Sequence, residues 1–205
     1  MTRDEMLADL AYARTLAEEG RDAPLIGGSY LILFGALLGV CYLAQWGALT
    51  GALPIPGNMI GAIWMAYGVA AFVGMFALRR RVSQLPGGSA IPNRVDRFLW
   101  QGVTAAILVV VVGTVLRAIL ENDFTAPNAI VAAGFGLYGV ALYVTAMMAR
   151  RPWLRAFAFM AWAISGALWY FIDQPWAYLI AAAGCATVLI IPGLLMLQRE
   201  PKTVV

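Results

Sequence analysis

A chain of 205 residues that is 62% hydrophobic and only 12% charged is not an ordinary soluble domain, in which about one residue in four is charged. Its formal charge of +3 comes from arginines clustered beside apolar runs, the pattern of membrane-flanking loops and not of a nucleic-acid surface. The chain has no histidine, which excludes bis-histidine haem, His-based zinc sites and histidine proton relays; its single lysine, Lys202, lies in the tail, which excludes a retinal Schiff base inside a bundle.

Residues 1 to 22 are polar and read as a short amphipathic helix, a unit separate from the membrane domain expected over 23 to 205. The apolar region starts too late and runs too long for a cleaved signal peptide. Thr2 and Glu5 have capping-box spacing, Gly20 can end the helix, and Met6, Leu7, Leu10, Ala13 and Ala17 make a narrow stripe. Six carboxylates against three arginines make this segment acidic. A helix lying on anionic lipid is basic, so the expected contact is protein: the chain's own basic loops, or a separate cytoplasmic partner reached through Met6 and Leu10.

Six apolar runs follow, near 24 to 47, 57 to 78, 98 to 120, 127 to 149, 153 to 172 and 175 to 197. Each meets the ~20 residues needed to cross a bilayer core, and none alternates as a barrel strand does. The expected fold is therefore an all-α integral membrane protein of six transmembrane helices. Short connections between the first and second, third and fourth, and fifth and sixth runs predict three tandem antiparallel hairpins. Arg79, Arg80, Arg81, Arg94, Arg97, Arg150, Arg151 and Arg155 fall between hairpins, and only Arg117 falls on the other side. The positive-inside rule then puts both termini in the cytoplasm of a bacterial inner (plasma) membrane, with Trp46, Trp169, Tyr170 and Trp176 in an outer aromatic belt and Trp100 and Trp153 in an inner one.

The second run is repeated. Pro56 to Arg80 returns 71 residues later as Pro127 to Arg151, with Tyr67-Gly68-Val69-Ala70 matched identically by Tyr138-Gly139-Val140-Ala141, and a fainter copy spans Pro175 to Arg199. Proline at the first turn and arginine at the far end each have a sufficient membrane-physical cause, so the repeat speaks for fold and not for a site. Pro192-Gly193 is expected to kink the sixth helix near its end.

Polar residues within the runs are few. Gln45 and Gln101 sit near helix ends as interfacial residues, and Thr104, Thr114, Thr145 and Ser165 are expected to bond the preceding turn of their own helices. Arg117 and Glu121, four apart, are expected to form an outer ion-pair cluster with Asp123 and Asp173 nearby. Gly35 and Gly39, Gly57 and Gly61, and Gly134, Gly136 and Gly139 allow close helix approach; the same spacing can also seam two copies, so a homo-oligomer is the second occupant of those faces. Cys41 and Cys185 lie inside apolar runs as small packing residues. The loop Ser83 to Arg97 reads as a flexible Gly/Pro-rich connector.

No nucleophile, phosphate-loop or metal motif occurs, so no enzyme, cofactor or metal site is expected. The layout of six short helices in three hairpins, with Gly near helix centres, resembles the small acid-resistance membrane proteins of the HdeD type, and that resemblance implies an architecture only. The expected role is a non-enzymatic accessory or regulatory protein of the membrane, embedded in the lipid bilayer and binding a partner through Met6, Leu10, Arg79, Arg80, Arg81, Arg150 and Arg151. The competing class is a small transporter or channel with a path along Gly, Thr, Tyr67 and Tyr138.

Overall fold

The computed structural model describes residues 6–7, 24–85 and 87–200. Among them the chain is helical, with six long helices: α1, Gly28–Thr50; α2, Gly57–Val82, opening in a 3-10 turn at Gly57–Met59; α3, Ile91–Leu120; α4, Asn128–Met148; α5, Trp153–Tyr170; and α6, Ala177–Leu197. Helix is what so apolar a chain must form away from water, because each backbone N–H and C=O then needs a partner within its own segment. The expected acidic helix over 1 to 22, Leu10 included, lies outside the described residues except for Met6 and Leu7, which are helical and exposed.

Local chemistry sets the helix ends. Gly51, at φ 73°, closes α1 in a left-handed residue. α3 begins at Ile91, earlier than the apolar run, because Pro92 suits the first turn and the polar residues behind it find partners. In α6, Pro192 has no N–H to return to Val188, so the ladder widens: Cys185–Ile190 is a π turn, and Ile191 N–H reaches back to the Ala186 carbonyl. The proline is thus absorbed within a helix that continues to Leu197.

Five helices, all but α5, are long and apolar enough to cross a membrane. α5 has 18 residues, about 27 Å of rise, and carries Arg155 in its first turn, so it falls short of the six spans expected from the apolar runs.

The helices pack in the order α2, α1, α6, α5, α4, α3, with the most extensive contacts between α4 and α5 and between α1 and α6. The four central helices are filled by small side chains: Ala132, Ala141, Ala146, Ala158, Ala161, Ala181, Cys185 and Val188 are fully buried. Small residues let backbones approach where lipid supplies no hydrophobic drive. A close backbone approach joins Gly28 and Gly193, where a Cβ on either would meet the other's carbonyl oxygen, and Gly35 lies against Cys185, Leu189 and Ile190 of the π turn. By contrast α2 has its extensive contact with α1 and α3 with α4. Both present large bare side chains, among them Met65 and Phe72 on α2 and Val109 and Leu120 on α3. So much exposed apolar surface is a lipid-facing wall.

Two of the four hydroxyls expected to bond their own helices instead cross between helices. Thr104 and Thr114 do bond back, to Trp100 and Val110 carbonyls at 2.8 Å. Ser165 of α5 donates to the Ala132 carbonyl of α4 at 2.7 Å, and Thr145 of α4 donates to Asp96 of α3 at 2.7 Å. A polar group buried at a helix seam gains more from a partner across the seam than from a carbonyl that is already paired. Gln45 likewise is not merely interfacial, since it accepts the Trp64 indole N–H at 2.7 Å and ties α1 to α2. Trp46, Trp100 and Trp153 pack on the core, whereas Trp169, Tyr170 and Trp176 remain exposed.

Candidate functional site

A series of contacts places the basic residues at one end of the bundle. Leu33 fills the space over Gly74, the Ile26 N–H meets Asn93, Asp96 meets Thr145, and the Arg199 guanidinium lies 5.4 Å over the Trp153 ring. These pairings bring together the end of α2, the start of α3, the turn from α4 to α5 and the end of α6. Every described Lys or Arg except Arg117 is therefore at this end. Arg79, Arg80, Arg81, Arg94, Arg97, Arg150 and Arg155 are exposed there, with the Arg80 guanidinium 5.3 Å from the Phe76 ring centroid.

The loop read as a flexible connector holds this end in shape. Asn93 is buried and uses its whole amide: Oδ1 accepts the Ile26 N–H at 3.2 Å, while Nδ2 donates to the Pro24 and Gly87 carbonyls, each at 2.9 Å. One turn on, Asp96 is buried and its Oδ1 accepts both the Thr145 hydroxyl and the Trp100 indole N–H, the latter at 3.2 Å. Arg97 donates to the Gly88 carbonyl at 3.1 Å. Sequence reasoning missed Asn93 and Asp96. Their one signal was polarity, five and two residues before the apolar run, in a stretch that turn chemistry already explained.

The described acids at this end are withdrawn from the surface. Asp96 is spent inside the bundle, and Glu200 is buried beyond the end of α6, where burial pushes its carboxyl up and the opposing pull of Arg81 is smaller. The exposed face described here is thus cationic.

The other end carries the expected ion pairs. Arg117 Nε bonds Glu121 Oε2 and its Nη2 bonds Asp123 Oδ2, both at 3.1 Å. Asp123 also accepts the Thr125 hydroxyl and N–H, at 2.6 and 3.1 Å, and those bonds, aided by Arg117, hold its carboxyl below the usual value. Asp173 is not in this pair; it forms part of the wall of an open groove of about 450 Å³ shared with Val110, Thr114, Arg117 and Ile172. The pair is solvent-exposed, the setting in which ion pairs contribute least.

Between the two ends the repeat-related Tyr67 and Tyr138 come within electrostatic reach of each other. They belong to an aromatic cluster: Tyr42 meets Trp64 at 5.4 Å, Trp64 meets Tyr67 at 5.7 Å, and Phe135 and Trp100 flank Tyr138 at 5.7 and 5.8 Å. Cys41 and Cys185 are buried free thiols beside it. Among the described residues no group of three metal-ligating side chains forms.

Long apolar helices, a lipid-facing wall and charge confined to the ends define a multi-pass α-helical membrane protein in contact with the bilayer. Comparison of the chain with protein-family models, curated proteins and solved structures finds no match.

Proposed function

We propose that the chain is a non-enzymatic accessory or regulatory protein of a bacterial-type inner membrane, engaging a cytoplasmic or membrane partner at its arginine-rich end. The topology that goes with this reading has six crossings, three tandem hairpins and both termini in the cytoplasm. α5 supports the sixth crossing: Ser165 and Trp162 bond the Ala132 and Gly136 carbonyls, and Leu154, Ala158 and Ala161 are buried in the seam at lower levels. A helix held along a spanning neighbour crosses with it, and Arg155 in its first turn can extend its charge to the interface. The arginine distribution supports the orientation.

The observation that carries the reading is the filling of the bundle at mid-depth, where Ala132, Phe135, Ala181, Cys185 and Val188 are at most 1% exposed. With its interior given to packing, the chain has its polar chemistry at the ends, and the arginine-rich end is where, among the described residues, cations stand without exposed acids. Met6 and Leu7, both exposed, give the acidic segment an apolar edge that a protein partner can cover. Deleting residues 2 to 19 should leave membrane insertion intact and remove partners recovered by cross-linking through Arg150 and Arg151. Unchanged cross-links would remove the basis for docking, and solute uptake by the pure chain in vesicles would favour the channel reading along Tyr67 and Tyr138.

A further inference from the structure

We propose that Arg79 and Arg97, converging on Tyr30, form a site for the phosphate headgroup of an anionic phospholipid. Two independent registers bring the three residues together. In the antiparallel α1–α2 pair, Leu33 lies over Gly74, which sets Tyr30 level with the turn leading to Arg79. At the start of the parallel α1 and α3, the Ile26 N–H bonds Asn93, so the residues one turn further on, Tyr30 and Arg97, are also level. Tyr30 accordingly lies within electrostatic reach of both guanidinium groups.

Among the described residues the arrangement gathers positive charge without an acid to balance it. The Arg79 guanidinium makes no hydrogen bond or ion pair among the described residues, and Arg97 spends one donor on the Gly88 carbonyl. The nearest acid in sequence, Asp96, turns into the bundle toward Thr145 and Trp100. Glu200 is set against Arg81. Two guanidinium forks from separate helices, with a phenol within electrostatic reach of both, match the oxygens of one phosphate.

The surroundings favour a lipid over a free phosphate. α2 and α3 share no extensive contact, so lipid can approach this end between them. Phe76 and Phe98, each within a turn of its arginine, are exposed and offer apolar surface to acyl chains. Basic pockets between spanning helices are the setting in which phosphate headgroups are held.

The test uses the full chain in neutral detergent, offered equal amounts of phosphatidylglycerol and phosphatidylcholine and read by native mass spectrometry. Wild type should retain the anionic lipid roughly tenfold more than the zwitterionic one. Arg79→Gln with Arg97→Gln should abolish that preference, whereas Arg155→Gln with Arg199→Gln, an equal loss of charge at the same end, should leave it. Equal loss in both double variants would mean diffuse attraction and overturn the site. Release of the lipid by millimolar inorganic phosphate would overturn the choice of lipid. Should the first double variant fail to fold, a photoactivatable phosphatidylglycerol on wild type decides: labels are expected on residues 76 to 98, and labels distributed elsewhere overturn the proposal.

Discussion

Arg150 holds a left-handed backbone, φ 51°, in the position that ends α4, and the Arg151 N–H reaches back to the Ala146 carbonyl at 3.0 Å. This is a Schellman ending with arginine where glycine is usual, and an L side chain there costs about 1 kcal/mol. Arg150→Gly should therefore raise stability by about that amount in thermal unfolding, while Arg150→Ala, which removes the charge and keeps the strain, should not. Asp123 offers a second test at the same scale. Bonded by Thr125 and attracted by Arg117, its carboxyl titrates below the ordinary 3.8, so its contribution is present above that pH and is lost as pH falls through the folded value. Hydrogen exchange at the Thr125 amide should accelerate in that acid range in wild type and be pH-independent in Asp123→Asn, apart from the intrinsic trend. The arginines at both ends were legible in the sequence because charge beside an apolar run has few other meanings. Asn93 and Asp96 were not, since their partners Pro24, Ile26 and Thr145 lie 69, 67 and 49 residues away.

The two copies of the repeated helix show how far identical text constrains an element. Gly68 and Gly139 occupy the same place in the repeat, yet a Cβ at Gly68 meets nothing within 4 Å, whereas at Gly139 it collides with the Trp162 indole. Gly139→Ala should lower the thermal midpoint, with an overpacking cost of about 1–3 kcal/mol, and Gly68→Ala should be neutral or add about 0.5–1 kcal/mol of helix propensity. Equal effects at both positions would mean that the α4–α5 seam relaxes freely. The copies also end differently: α2 runs through Arg79 to Val82, while α4 stops at Met148, before the matching Arg150. Helix existence was legible because a long apolar run has one solution in a bilayer. Which face of each helix meets which neighbour was not, since nearly every face is apolar and the pattern marks no seam.

At the scale of the molecule, neighbours in space are not always neighbours in the chain. α1 has its largest shared surface with α6, through Gly28 against Gly193 and Gly35 against the π turn, although about 150 residues separate them. During synthesis α1 therefore enters the membrane long before its partner exists, and until α6 is made its glycine face has only lipid, or a chaperone, to cover it. A chain ended at Gln174 should insert its earlier helices and then be degraded faster than the full chain in pulse-chase labelling. Equal lifetimes would mean that α1 is already secure on α2. The Gly28–Gly193 crossing is thus a closing clasp, and the synthesis of α6 decides whether α1 is finished.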